Sequence, residues 1–175
     1  METKTLFILC GEAFSGKSTL SREIAKHYDA KIVGRDEIYF ATEKILALEN
    51  TPDDDDDALW KTMWPMVLQG VKNHLLLGNF VVVDDNCLYL KQRDELRSIA
   101  SETNTKVILI YLNTPAEIIK KRKEENKLTK NRHDVPSAWL EEDAQLFERP
   151  TEIERPVIYG PNTASEELLK QLYSE

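Results

Sequence analysis

The most constraining feature of this chain is a glycine-rich segment that reads Gly-Glu-Ala-Phe-Ser-Gly-Lys-Ser over residues 11–18. The segment fits the pattern G-x-x-x-x-G-K-[ST] at every fixed position. Glycines let the backbone wrap closely around a phosphate, and successive N–H groups at a helix N-terminus direct partial positive charge toward it. The residues predicted to bind the phosphates of a nucleotide are Gly11, Glu12, Ala13, Phe14, Ser15, Gly16, Lys17, Ser18 and Thr19.

A short pattern of this kind also occurs by chance, so the segments on either side decide what it means. Residues Leu6 to Cys10 are continuously apolar, which is typical of a central parallel strand covered on both faces. After the glycines, Leu20, Ile24 and Tyr28 recur at helical spacing. A strand before the turn and a helix after it favour phosphate binding over an ordinary connecting turn.

The last residues of the pattern indicate the chemistry at the phosphates. Lys17 is expected to reach the β- and γ-phosphates, and the Ser18 hydroxyl is expected to bind Mg²⁺. A second acidic element is expected where the apolar run Val81–Val83 ends in Asp84 and Asp85. We predict that Asp84 holds Mg²⁺ or orients the acceptor. The alternative is that both acids only cap the following turn.

The composition limits the classes of protein to consider. With 175 residues, of which 41% are hydrophobic and 31% charged, the chain is expected to fold as a single soluble domain. A formal net charge of -8 disfavours general attraction to nucleic acid, whose phosphates require a basic face. No apolar stretch approaches the roughly 20 residues of a membrane span, and the first residues do not form a secretory signal. We therefore expect a cytoplasmic protein without a membrane partner.

Apolar runs alternate with amphipathic segments along the chain, which predicts an α/β fold. The predicted strands are 6–10, 31–33, 80–83, 107–112 and 157–159, and the predicted helices are 17–28, 37–48, 58–77, 91–103, 115–125, 137–147 and 165–173. This order is typical of a P-loop NTPase with a five-stranded, mostly parallel sheet and helices on both faces. In such sheets the ligand lies beyond the carboxyl ends of the strands, so polar residues that directly follow strands are the candidates for function.

The turn after the second predicted strand carries the candidate catalytic base. A kinase needs a carboxylate near the transferred phosphate to orient the acceptor hydroxyl and take its proton, and Asp36 is placed for this role. The alternative is that Asp36 only caps the helix that follows. Arg35 is expected either to bind the acceptor or to form a surface ion pair.

A basic segment in the second half of the chain predicts a lid. Seven of the 23 Lys and Arg residues lie in this segment: Lys120, Lys121, Arg122, Lys123, Lys127, Lys130 and Arg132. A mobile helical lid at about residues 120–136 would exclude water and neutralise charge on the transferred phosphate. Arg122 and Arg132 are the expected phosphate contacts, and we predict that both are catalytic. The alternative is a solvated helix face with Lys–Glu pairs.

Three further features are interpreted as structural. The acidic run Asp53–Asp57 favours a solvated loop over a metal site, because adjacent side chains point in different directions. Trp60 and Trp64 belong to an apolar helical stripe, with the alternative that one of them lines the acceptor pocket. Cys10 and Cys87 lack the spacing of a metal or redox motif.

These residues resemble those of the small P-loop kinases related to the 5′-kinase module of polynucleotide kinase, zeta toxins and chloramphenicol phosphotransferase, in the AAA-type ATP-binding domain family. The resemblance covers most of the chain. It rests on the segments Gly11–Ser18, Gly34–Glu37, Phe80–Asp84 with Asn86, Arg93, Thr114–Glu117, Arg122, Arg132, Val135–Pro136, Phe147–Pro150 and Glu154.

The resemblance implies five parallel strands, an ATP or GTP donor with Mg²⁺, Asp36 as the acid–base group, and an arginine-bearing lid. The chain departs from the group at two positions. Polynucleotide 5′-kinases carry an arginine three positions beyond the catalytic acid, where this chain has Tyr39, and this disfavours a nucleic-acid 5′ end as the acceptor. Many relatives carry a second lid arginine four positions after the first, where this chain has Asn126, so the expected partner moves to Arg132.

The leading hypothesis is a phosphotransferase that moves the γ-phosphate of ATP to a hydroxyl of a small-molecule or nucleoside-type acceptor. Two alternative enzymes are a polynucleotide or RNA end kinase and a toxin-like kinase of nucleotide sugars. A third alternative is a nucleotide-dependent binding switch that hydrolyses ATP slowly. The shared motifs concern the donor, so the sequence leaves the acceptor and the oligomeric state open.

Overall fold

A computed structural model describes residues 4–49, 56–129 and 137–174 of the chain. Within these ranges, five strands alternate with α-helices in an α/β arrangement, and a short 3-10 helix at Glu152–Glu154 precedes the last strand. The elements are β1 (Thr5–Cys10), α1 (Lys17–Tyr28), β2 (Lys31–Val33), α2 (Arg35–Glu49), α3 (Asp56–Leu76), β3 (Val81–Val83), α4 (Leu90–Glu102), β4 (Lys106–Leu112), α5 (Ala116–Thr129), α6 (Ser137–Leu146), β5 (Val157–Tyr159) and α7 (Ser165–Ser174).

The five strands form one sheet in the order β2-β3-β1-β4-β5, and every neighbouring pair is parallel. β1 lies at the centre, where Leu6 is in register with Val81 of β3 and Val107 of β4. Each of its six residues is buried, as the continuous apolar run predicts for a strand covered on both faces. The predicted α/β P-loop fold is confirmed, and the sheet is entirely parallel.

Alternate residues of β1 supply two separate cores, one on each face of the sheet. Leu6 and Ile8 pack in a core with residues of α3 and α4, whereas Phe7 and Leu9 pack in a core with residues of α1 and α7. The alternation follows from the period of two along a strand. Helices therefore cover both faces, as predicted. None of the helices in the described ranges is long and apolar enough to cross a membrane.

The loops that follow neighbouring strands are tied together by backbone hydrogen bonds. The Asp84 N–H donates to the Val33 carbonyl at 3.0 Å, and the Gly11 N–H donates to the Asn86 carbonyl at 3.2 Å. The loops after β1, β2 and β3 therefore meet at one edge of the sheet, as parallel strands require. We call the space between these three loops, at residues 11–16, 34–37 and 84–86, the crevice.

The first turn of α2 differs from the sequence prediction in a way that affects the candidate base. α2 begins at Arg35, two residues earlier than predicted, and the Ile38 N–H donates to the Gly34 carbonyl at 3.4 Å. The residue whose carbonyl accepts the first helical hydrogen bond occupies the N-cap position, which here is Gly34. Asp36 lies inside the first turn, so the interpretation of Asp36 as an N-cap is wrong.

Some predicted features lie outside the described residues. These are Asp53, Asp54 and Asp55 of the acidic run, and Lys130, Arg132 and the end of the predicted lid up to residue 136. The last two residues of the acidic run, at positions 56 and 57, begin α3.

Gly34 is required where the loop after β2 lies against the loop after β3. A Cβ built at this position would overlap the backbone carbonyl of Asp84. Backbone on both sides cannot move aside as a flexible side chain could, so only glycine fits without displacing one of the two loops.

We therefore expect Gly34→Ala to lower the free energy of unfolding by about 1–3 kcal/mol, the range for overpacking a close-packed site. Urea denaturation followed by circular dichroism measures this. Gly160→Ala is the matched control, because a Cβ there would meet only the Thr163 hydroxyl, at an ordinary contact distance of 3.9 Å. Equal unfolding midpoints for the two variants would contradict the assigned close approach.

Candidate active site

The glycine-rich segment forms a loop between β1 and α1, as its pattern predicts. Gly16 has a φ of 111°, and Phe14 has a φ of 63°. Glycine adopts the first value freely, and the resulting turn brings the chain directly into α1. No described side chain caps the N-terminus of α1. The first N–H groups of the helix are therefore available to an anion held in the loop.

The Lys17 ammonium group closes this loop on itself. Its Nζ donates to the carbonyls of Gly11 and Glu12, both at 2.9 Å. Burial lowers the pKa of Lys17, although the nearby charges of Asp84 and Asp85 act in the opposite direction. Lys17 thus lies between the loop and the two acids that follow β3.

Two side chains hold the outward-facing carbonyls of the loop. The Thr114 hydroxyl donates to the Ser15 carbonyl at 2.9 Å. Arg122 Nη1 donates to the same carbonyl at 2.7 Å and to the Phe14 carbonyl at 3.0 Å. These hydrogen bonds fix the shape of the loop at its Phe14 and Ser15 carbonyls.

The residues predicted to hold Mg²⁺ stand close to each other. The Ser21 hydroxyl is within hydrogen-bonding distance of Asp84 Oδ2, at 2.9 Å, and of the Ser18 carbonyl, at 3.2 Å. It joins Asp84, in the loop after β3, to the first turn of α1. A hydroxyl from Ser18 and a carboxylate from Asp84 are oxygen ligands of the kind that Mg²⁺ prefers.

Two observations test whether these residues fit a nucleotide and its metal. Ser15 Oγ is buried in the loop, and the described residues supply it with no hydrogen-bond partner. A phosphate oxygen would satisfy it. In the same described part of the chain, no group of three or more His, Cys, Asp or Glu side chains could hold a metal ion. A cation at Ser18 and Asp84 would therefore need phosphate oxygens and water to complete its ligands, which is how Mg²⁺ usually binds with nucleotides.

Asp36 lies on the opposite side of the crevice from the phosphate loop. Its side chain is exposed at the mouth of the crevice. Partial loss of surrounding water raises the pKa of Asp36, and the negative charges of Asp85 and Asp84 raise this pKa further. The positive charges that act on it belong to Lys17 and Arg35. A carboxylate whose proton affinity is raised in this way is suited to accept a proton.

Arg35 is held by Asp85 in a two-pronged ion pair. Arg35 Nε donates to Asp85 Oδ2 at 2.7 Å, and Arg35 Nη2 donates to Asp85 Oδ1 at 2.6 Å. The side chains are only 12% and 3% exposed, so the expected surface ion pair is instead a nearly buried one. Burial raises the pKa of Asp85, but the charge and hydrogen bonds of Arg35 outweigh this and hold it below its usual range. The pair fixes the start of α2, and with it Asp36, to the loop after β3.

Trp64 and Asp143 complete the wall around this pair. The Arg35 guanidinium lies over the Trp64 ring, 5.9 Å from its centroid. Asp143 of α6 accepts a hydrogen bond from Asn86 Nδ2 at 3.2 Å. Burial raises the pKa of Asp143, and the charge of Arg35 partly offsets this. No local pattern singles out Asp143, because it lies in an acidic helix next to Glu141 and Glu142.

A second buried ion pair anchors the loop after β3. Arg93 donates to Glu154 from Nε at 2.8 Å and from Nη2 at 3.0 Å, and it donates to the Cys87 carbonyl at 2.9 Å. Arg97 also donates to Glu154, at 2.7 Å. These bonds fix the loop after β3 to the segment that precedes β5. The resemblance to the kinase family includes Arg93 and Glu154, but their pairing becomes visible only in the structure.

A cavity of about 360 Å³ lies beside the phosphate loop, on the side away from Asp36. It is bounded by the loop, by α5 and by the turn after β5 that contains Gly160 and Pro161. Arg122 and Asn126 of α5 both line it. The cavity is continuous with the N-terminus of α1, which is where a nucleotide with its phosphates in the loop would place its base.

Residues 6–150 match the family described as AAA domain, a family of P-loop kinases. The chain belongs to this family. The match includes the phosphate loop, the turn with Asp36, both acids after β3, and α5. The chain is therefore a kinase-like P-loop domain with a nucleotide-binding fold.

Individual relatives differ in their acceptors. The chain is 33% identical over 122 residues to L-seryl-tRNA(Sec) kinase of Methanococcus maripaludis, and the match covers 67% of the chain but only 44% of that protein. The fold is similar to that of a gluconokinase from Sinorhizobium meliloti 1021, with a TM-score of 0.63 and 21% identity over 99% of this chain and 92% of the other. It is also similar to Kti12 of Chaetomium thermophilum bound to ADP-AlF3, with a TM-score of 0.75 and 14% identity over 97% of each chain.

The Arg93–Glu154 pair yields a stability prediction. Glu154→Gln keeps the shape of the side chain but leaves Arg93, which is 1% exposed, without its charged partner. We expect the free energy of unfolding at neutral pH to fall by about 3–5 kcal/mol, as for other broken buried pairs. Urea denaturation measures the change. Asp94→Asn is the control, because it removes only an exposed carboxylate from Arg97 and should change stability by less than about 1 kcal/mol.

The same pair predicts a pH dependence. Although burial opposes ionisation, hydrogen bonds from Arg93 and Arg97 hold the pKa of Glu154 at about 2, below its ordinary value of 4.5. A carboxylate with a lowered pKa stabilises the fold above the unfolded pKa, and this stabilisation is lost as the pH falls toward the folded one. The difference in unfolding free energy between the native chain and Glu154→Gln should therefore shrink between about pH 5 and pH 2.5. A difference that is constant over this range would contradict the assignment.

Proposed function

We propose that the chain is a phosphotransferase that moves the γ-phosphate of ATP to a hydroxyl of a small-molecule or nucleoside-type acceptor. The observation that carries this proposal is the position of Asp36. Its carboxylate lies across the crevice from the phosphate loop, close enough for the charge of Lys17 to act on it. A phosphate held by the loop would thus have an anion-binding backbone on one side and a candidate base on the other.

The proposed donor site comprises residues 11–19 and the cavity beside them. The phosphates would lie against the first N–H groups of α1, and the base would lie in the cavity between α5 and the turn at Gly160. Lys17 would exchange its bonds to the Gly11 and Glu12 carbonyls for bonds to the β- and γ-phosphates. We propose ATP as the donor, with GTP as the alternative to be tested.

Ser18 and Asp84 are the residues proposed to hold Mg²⁺. When bound there, the metal would neutralise charge that develops on the phosphates during transfer. The contribution of the chain itself is positional, because Ser21 fixes Asp84 against the start of α1.

Asp36 is proposed to orient the acceptor hydroxyl and to take its proton as the new O–P bond forms. Arg35 serves as a positioning residue in this scheme, because its guanidinium is occupied by Asp85 and anchors the helical turn that carries Asp36. We propose this role in place of direct binding of the acceptor by Arg35. The proton transfer needs Asp36 ionised, and its raised pKa increases its affinity for the proton.

The proposal includes a basic lid at residues 120–136. Arg122 contacts the outside of the phosphate loop through the Phe14 and Ser15 carbonyls, so it is proposed to stabilise the loop and to contact the nucleotide from the cavity side. Arg132 is proposed to supply a second positive charge to the transferred phosphate. Closure of residues 120–136 over the crevice would exclude water, which favours transfer over hydrolysis.

A single pair of variants tests the proposal. Mg²⁺-dependent ADP release is measured across a panel of nucleosides, sugars, amino alcohols, nucleotide sugars and hydroxyl-ended oligonucleotides. We expect one class to stimulate release in the native chain, and we expect Asp36→Asn to lower the stimulated rate by about 100-fold or more. Binding of a fluorescent ATP analogue should persist in Asp36→Asn. It should be strongly weakened in Lys17→Ala, which serves as the matched donor-site control.

Other outcomes identify the alternatives. Slow ADP release that ignores every acceptor and does not change in Asp36→Asn would contradict the kinase proposal and favour the nucleotide-dependent switch. Stimulation by oligonucleotides alone, with an affinity that falls steeply with salt, would identify an end kinase. The same release assay with GTP in place of ATP decides between the two donors.

A further inference from the structure

The Ser15 carbonyl in the phosphate loop accepts hydrogen bonds from two side chains, which occupy both lone pairs of its oxygen. The Thr114 hydroxyl donates to it at 2.9 Å, and Arg122 Nη1 donates to it at 2.7 Å. The two donors come from different elements, because Thr114 lies in the turn after β4 and Arg122 lies on α5. The proposed donor site gives Arg122 a role, whereas Thr114 has none so far.

The bonds to this carbonyl also determine where the next N–H group points. The Ser15 carbonyl and the Gly16 N–H belong to one planar peptide unit, and in a trans unit they point in opposite directions. Thr114 and Arg122 therefore direct the Gly16 N–H away from themselves. The Ser15 N–H donates to the Glu12 carbonyl at 3.2 Å, but the described residues give the Gly16 N–H no acceptor. This N–H is left for an anion.

The Ser15 hydroxyl is a second donor without a partner at the same place. Its Oγ is buried, and no described residue forms a hydrogen bond with it. A Cβ built on Gly11 would lie only 3.1 Å from this Oγ, so the hydroxyl lies close to the first residue of the loop. A buried hydroxyl without a partner costs free energy, which an oxygen of a bound phosphate would recover. Two adjacent donors, the Ser15 hydroxyl and the Gly16 N–H, thus await one acceptor.

The loop needs anchors at this point because its backbone is strained. Phe14 has a φ of 63°, in the left-handed region that a residue with a Cβ adopts only where its surroundings hold it there. Arg122 holds the Phe14 carbonyl but lies on α5, within the proposed lid. Thr114 is tied to the sheet instead, because the N–H of its neighbour Asn113 donates to the Tyr159 carbonyl of β5 at 2.9 Å. A movement of α5 would therefore release the Arg122 bonds and leave the Thr114 bond in place.

We propose that Thr114 is a positioning residue for phosphate binding, which holds the Ser15–Gly16 peptide so that the Gly16 N–H and the Ser15 hydroxyl donate to the β-phosphate of a bound nucleotide. The inference rests on the donor site of the proposed function, and it does not depend on the acceptor. Thr114 acts only through the Ser15 carbonyl. Without its hydroxyl the carbonyl keeps one donor, the peptide is free to rotate, and the phosphate loses well-directed hydrogen bonds.

Two variants of Thr114 test this role. Thr114→Val removes the hydroxyl at nearly constant shape, and Thr114→Ser keeps it. Isothermal titration calorimetry gives the dissociation constants of ADP and AMP, with Mg²⁺ in a phosphate-free buffer. We expect Thr114→Val to weaken ADP binding by about 3- to 10-fold, the range for one lost hydrogen bond, and to weaken AMP binding by less than about twofold. Thr114→Ser should restore the native constants.

The comparison of two nucleotides separates positioning from a general effect on the fold. ADP and AMP share the base, the ribose and the α-phosphate, so the ratio of their constants isolates the β-phosphate. Thr105→Val is the matched control, because Thr105 lies just before β4, at the end remote from the loop, where its hydroxyl is bonded to that of Thr103. It should change neither constant. An unchanged ADP constant in Thr114→Val, or equal weakening of ADP and AMP, overturns the inference.

A measurement on the native chain keeps the inference testable if Thr114→Val does not fold. In ¹H–¹⁵N spectra the Gly16 amide proton should move downfield when ADP is added, because it then donates to a charged oxygen. It should move less with AMP. A Gly16 amide that does not respond to ADP overturns the inference. The expected response and affinities, together with ADP release that no acceptor stimulates, would support the role of Thr114 and contradict the kinase proposal.

Discussion

Burial of β1 on both faces of a parallel sheet determines where the functional residues of this protein can lie. Because Leu6 to Cys10 all face a core, these residues of the strand contribute packing, and the chemistry lies in the loop that follows them. Its neighbours β3 and β4 run in the same direction, so the loops that follow them come to the same edge. The close approach at Gly34 then brings the loop after β2 against Asp84. The crevice therefore depends on the parallel direction of the strands and on the absence of a Cβ at Gly34.

The two sides of the crevice differ in the groups that carry their charge. The donor side is built from backbone N–H groups and from Lys17, which the fold buries and orients through carbonyls of the loop. The opposite side of the crevice carries Asp36, Asp84 and Asp85, and Asp85 is paired with Arg35. A buried pair of this kind adds little net stability compared with apolar residues. Its consequence is geometrical, because it fixes the first turn of α2, which carries Asp36, to the loop after β3.

Much of this could be predicted from the sequence, and the limits have physical causes. The phosphate loop, the strands at 31–33 and 157–159, and the helix at 17–28 are local patterns, and the structure places them at those bounds. Pairings between distant side chains have no local pattern. Arg35 with Asp85 and Arg93 with Glu154 are separated by 50 and 61 positions and depend on how the loops meet. Asp143 was missed because its partner, Asn86, is also distant in the sequence. The start of α2 was predicted too late because a glycine, which has no polar side chain, occupies its N-cap position.

The loop after β3 links the donor and acceptor sides, because its consecutive residues serve different neighbours. Asp84 is bonded to α1 through Ser21, whereas Asp85 is bonded to α2 through Arg35. The Asn86 carbonyl accepts from the phosphate loop, and its amide donates to α6. The Cys87 carbonyl is anchored by Arg93, which Glu154 holds in turn. A movement of this loop would therefore shift the proposed metal ligand, the proposed base and one wall of the acceptor site together.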